Sequence, residues 1–99
     1  MTLPNGYTMT TTFFEDFQIA NIFGVEAVKD TYNRAFKEWK DNYVYLTELV
    51  IALNLMLWAT YGKNDKLADT YNELWMKADE YACNNLKGDE LAFFYRTTD

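Results

Sequence analysis

The stretch NYVYLTELVIALNLMLWATY, Asn42–Tyr61, decides the fold of this 99-residue chain. It contains one charged residue, Glu48, and no Gly or Pro. Leu46, Val50, Leu53 and Leu57 recur at helical spacing and form one apolar stripe. Val44, Ile51, Leu55 and Trp58 form a second stripe on a different side. A helix apolar on two sides must be covered on two sides, so the segment is read as a central core helix. Whatever its neighbours leave uncovered becomes an interface. The second stripe, Val44, Ile51, Leu55 and Trp58, is therefore the candidate surface for a protein partner or for self-association. A bilayer span needs roughly 20 uninterrupted apolar residues. Glu48 and Asn54 interrupt this run, so no membrane insertion is expected.

Working outward, the apolar periodicity of VEAVKDTYNRAFKEWK runs through Val28, Tyr32, Ala35, Phe36 and Trp39 into the core segment. A single helix across both would far exceed the usual length. Asp41-Asn42 is the break, with Asp41 expected as the N-cap. Asp30–Arg34 and Arg34–Glu38 are spaced for i,i+4 ion pairs on the solvated face. Upstream, Thr12 and Glu15 have the spacing of a capping box before Phe13, Phe17, Ala20 and Phe23. Gly24 closes that helix, expected over 12–23. Residues 1–11, with Pro4-Asn5-Gly6, show a turn and no periodicity, and are expected to be a flexible N-terminal tail.

Downstream, Gly62–Asp65 is a turn, with Asn64 or Asp65 as cap. A helix over 65–87 buries Leu67, Tyr71, Leu74, Trp75, Ala78 and Tyr81. Gly88 ends it, and Asp89 is expected to cap a short last helix that docks Leu91, Phe94 and Tyr95. The fold class expected is all-α: a single domain over 12–99, a small bundle of four to five helices arranged as two helical hairpins.

Composition narrows the function classes. Nine basic residues against 15 acidic give a net charge of −6, which disfavours binding to nucleic-acid phosphate. There is no His, which removes the commonest general base and transition-metal ligand. The one Cys, Cys83, cannot form an internal disulfide and points to a reducing, cytoplasmic compartment. It lies late in its helix near acids, where a thiol is inert. Without a phosphate loop or nucleophile–base pair, no enzymatic activity, cofactor or metal is expected. Asp65, Asp69, Glu73 and Glu80 form an acidic ridge without the converging oxygens a hard cation requires. Glu48 is a lone acid, and the helical wheel allows it a narrow exposed strip with Ala52 and Ala59. Exposure is the expectation for such a group.

The tetrapeptide DTYN occurs twice, at Asp30–Asn33 and Asp69–Asn72. In each copy the spacing turns Tyr inward and Asp and Asn outward. A catalytic motif would converge its polar groups, so the repeat reads as one amphipathic solution used twice.

The stretches FFEDFQIANIFG, VKDTYNRAFKEWK, YVYLTELV, YNELWMKADEYA and LKGDELAFFYRTTD, covering about residues 12–99, resemble a family of small helical proteins. That family is encoded on conjugative elements and phages of gut bacteria. The resemblance implies an accessory protein of a mobile genetic element and carries no site residues. Such elements also encode small acidic inhibitors of host defence nucleases. The function expected is thus a non-enzymatic protein-interaction or self-association module. The alternative is an acidic inhibitor of the anti-CRISPR or anti-restriction type, acting through Asp65, Asp69, Glu73 and Glu80.

Overall fold

A computed structural model describes residues 1–99 and contains five helices: α1 Phe13–Phe23, α2 Val25–Trp39, α3 Tyr43–Thr60, α4 Asp65–Asn85 and α5 Asp89–Thr98. The fold is all-α. α1 and α2 form one hairpin, α3 and α4 the other, and α5 folds back on α3. Only Gly24 separates α1 from α2. Its φ of 108° and ψ of −171° lie where a side chain is strained, which lets the chain reverse in a single residue.

α3 is the core helix. It packs against all four other helices, and ten of its residues are buried, from Leu46 to Thr60. Leu46, Leu49 and Leu53 have no exposed surface. By length and mean hydropathy, 1.4, it is the one helix apolar enough to cross a membrane. Here its apolar surface is covered by protein on most sides, as the double stripe requires.

The break before α3 falls where Asp41-Asn42 places it, but the cap is Asn42. Its side chain accepts a hydrogen bond from the Tyr45 amide at 3.1 Å. Asn64 does the same for α4, accepting from Leu67 N at 3.1 Å. In each case the short amide side chain satisfies one of the amides left free in the first turn. Two other expected caps do not form. Thr12 makes no capping bond and donates instead to Asp16 Oδ2 at 3.2 Å. α5 starts at Asp89, behind Gly88. The expected Arg34 ion pairs are also replaced: Arg34 Nε turns to the Asp30 carbonyl at 3.4 Å, and Lys77–Glu73 is the one ion pair in the chain.

The largest departure from expectation is the N-terminus. Residues 1–11 are not a flexible tail. They curl into a tight loop, with Thr2 bridging antiparallel to Thr8 and Met9 N donating to Met1 O at 2.8 Å. Leu3 and Met9 are buried in the same hydrophobic cluster as α3. The physical reason is Glu48, described below.

Both DTYN tyrosines are buried, while Asp30, Asn33, Asp69 and Asn72 are exposed. Tyr71 makes an edge-to-face contact with Phe17 at 6.0 Å, and its hydroxyl donates to Asn21 Oδ1 at 2.9 Å. Tyr32 stacks on Phe36 at 5.5 Å and makes no hydrogen bond to the protein through its hydroxyl. The second copy therefore ties the two hairpins together through a hydrogen bond, and the first joins the shared core through its ring alone.

Candidate interaction site

The side chains nearest to functional chemistry surround Glu48, which is fully buried rather than exposed. Its Oε1 accepts from Thr10 N, Thr11 N and Thr11 Oγ1, each at 2.8 Å. Its Oε2 accepts from Tyr7 Oη and Thr10 Oγ1, each at 2.7 Å. Burial pushes the carboxyl pKa up, but the hydrogen bonds from Thr10, Tyr7 and Thr11 outweigh it, and the net shift is downward. Burial, together with the Glu48 hydrogen bond and charge, pushes the Tyr7 phenol far above its usual range. This carboxylate is thus held ionised and saturated with donors. It has no lone pair directed at open space, so its chemistry is that of an anchor: it fastens residues 7–11 to the core helix.

The predicted interface stripe is divided by the fold. Ile51 is buried, at 7% exposure; Val44 and Leu55 are half-buried. Trp58 alone is open, at 65%, with its ring 5.7 Å from that of Tyr61, itself exposed. The cover over the rest is α5 and the N-terminal loop. A groove of about 430 Å³ remains between them and the α3–α4 hairpin, with Ile51, Leu55, Trp75 and Phe94 in its walls. Asp79 and Cys83 also line it, and burial raises the pKa of the Asp79 carboxyl. Cys83 accepts a long hydrogen bond from Tyr95 Oη at 3.8 Å. It is half-buried at the groove wall.

Asp65, Asp69, Glu73 and Glu80 are all exposed on α4, as expected. The ridge is not purely negative, because Lys77 Nζ lies 3.5 Å from Glu73 Oε1. No group of three or more acidic or Cys side chains converges as a metal site would require.

A second exposed apolar surface was not legible in the helical wheel. Ile19, Ile22 and Phe23 of α1 are 59%, 80% and 77% exposed. Phe23 was expected inward; it lies at the last turn of α1, where Gly24 turns the chain away before the core can cover it. The partial signal was in the stretch FQIANIF, which holds more apolar residues than one helix face can use.

Comparison with protein-family models, with curated proteins and with solved structures finds no significant match for this chain.

Proposed function

We propose that this protein is a non-enzymatic interaction module that self-associates or binds a protein partner through the exposed turn end of the α3–α4 hairpin. The observation that carries the reading is the exposed Trp58–Tyr61 pair, one turn beyond the half-buried Leu55. Large aromatic side chains at the centre of a patch are the residues that supply most binding energy at interfaces. The saturated state of Glu48 and the long Tyr95–Cys83 contact fit a scaffold rather than a reaction centre. The proposal includes an accessory role on a mobile genetic element, which rests on the sequence resemblance alone.

Sizing by light scattering tests self-association directly. The wild-type chain is expected to show a concentration-dependent rise in mass, and Trp58→Ser is expected to abolish it without lowering helicity. A strictly monomeric wild type that also binds every partner equally well after Trp58→Ser would overturn the reading.

The alternative, an acidic inhibitor of a nucleic-acid enzyme, is favoured by one observation: all four ridge carboxylates are solvent-facing on a single helix. Charge reversal at Asp65, Asp69 and Glu80 is then expected to abolish inhibition of a defence nuclease. Unchanged behaviour across a panel of such nucleases would count against it.

A further inference from the structure

The most exposed apolar side chains of the molecule are not at Trp58 but at Ile22 and Phe23 on α1, and Phe23, with Ile19, borders a trough that the α3–α4 reading leaves unused. The trough runs between α1 and α2 and has a volume of about 840 Å³. Small side chains, Ala20, Ala27, Thr31 and Ala35, line its length. Ile19 and Phe23 rise at one end, and Trp39 stands at the other, with its ring 4.7 Å edge-to-face from Tyr45 of α3. From Ala27 to Trp39 the trough follows α2 for about 18 Å at 1.5 Å per residue. That is the length of three turns of a partner helix. An apolar floor with large residues at both ends is the geometry by which a helix lies in a groove, presenting anchors at i, i+3/i+4 and i+7.

Charge selects the occupant. Asp16, Asp30 and Glu38 line the trough against a single cation, Arg34, whose Nε is turned back to the Asp30 carbonyl. A second copy of this chain fits poorly: the open face of α1 carries Glu15 and Asp16 and no basic residue, so like charges would meet. We infer that the α1–α2 trough is a docking site for an amphipathic helix of a protein partner, about 12 residues long, with an apolar face flanked by Lys or Arg. Complementary charge at the rim sets orientation and on-rate, while Ile19, Phe23 and Trp39 supply the buried contacts. This surface is separate from the Trp58–Tyr61 end, and neither Trp58 nor Tyr61 lines it.

The test uses the full chain and fluorescently labelled model peptides of about 14 residues, read by anisotropy. One peptide is an amphipathic helix of leucine and lysine, one replaces lysine by glutamate, and one is the lysine peptide with its leucines scrambled off a single face. The lysine helix is expected to bind in a saturable, salt-weakened manner, and the other two not to bind. Ile19→Ser with Phe23→Ser is expected to weaken binding by about tenfold or more. Both residues are solvent-facing, so the variant keeps its fold, verified by circular dichroism. Glu38→Lys is expected to weaken binding and to lessen its salt dependence. Trp58→Ser is expected to leave binding unchanged, which separates this site from the self-association surface. Absence of binding by the lysine helix, equal binding by the scrambled or glutamate peptide, or full binding by the Ile19/Phe23 variant would overturn the inference. So would a wild-type dimer that the Ile19/Phe23 variant dissolves, since the trough would then serve a second copy.

Discussion

Glu48→Ala is expected to cost about 3 kcal/mol or more of folding stability, measured by urea denaturation. The substitution removes a fully buried carboxylate and strands five donors on Tyr7, Thr10 and Thr11. Each buried donor left without a partner costs about 1–3 kcal/mol unless water reaches it. Because Thr10 is exposed, part of the loss will be recovered by solvation. Glu48→Gln keeps the shape and one acceptor, and is expected to lose about half as much. Both variants should release the N-terminal loop, which protease cleavage within residues 1–11 would detect. A Glu48→Ala protein as stable as wild type, with its N-terminus still protected, would refute the anchor.

The same group sets an acid limit. Its folded pKa is lowered, so the unfolded chain binds the proton more readily. The contribution of Glu48 is therefore complete above its unfolded value of 4.5 and is lost as pH falls through the lower, folded value. Wild-type stability should decline below about pH 4.5 more steeply than that of Glu48→Gln.

Tyr71→Ala is expected to lose about 3–5 kcal/mol, the range for deleting a fully buried aromatic side chain. The ring fills the space between α4 and α1, against Phe17. Tyr71→Phe should lose about 1 kcal/mol, because Asn21 then loses its donor. Tyr32→Phe should be close to neutral, since that hydroxyl has no protein partner. Equal effects of the two conservative substitutions would contradict the different roles given to the two DTYN copies. Burial also raises both phenol pKa values, that of Tyr32 to about 12 and that of Tyr71 further. Their contribution is present below the unfolded value of 10.0 and is lost as pH rises through the folded values, so stability should fall above pH 10.0.

These two residues mark the boundary of what sequence reading achieves here. Tyr71 was legible: it sits on a stripe with Leu67, Leu74 and Ala78, and periodicity states which residues share a face. Glu48 was not. Its donors lie 37 to 41 residues away in a segment with no periodicity, and they are common hydroxyls and amides. Nothing local marks such groups as converging. The wheel showed only a lone acid, for which exposure is the usual outcome.

The exposure of the second stripe was legible only in part. Val44, Ile51, Leu55 and Trp58 do share a side of α3. Which of them stays open depends on where α5 and the N-terminal loop end, and both stop short of Trp58. On α1 the opposite error arose: Phe23 matched the inward spacing but lies past the reach of the core.

By itself the sequence determined that this protein is an all-helical bundle of four to five helices, where those helices begin and end to within two or three residues, that α3 is its core, and that both DTYN tyrosines face inward. These follow from side-chain period, cap chemistry and glycine, all of which act over a few residues. Only the tertiary structure decided that Glu48 is buried, that residues 1–11 are part of the fold, and which apolar faces remain open. Those outcomes depend on contacts between distant segments, where burial of one group is set by the chain that happens to lie across it.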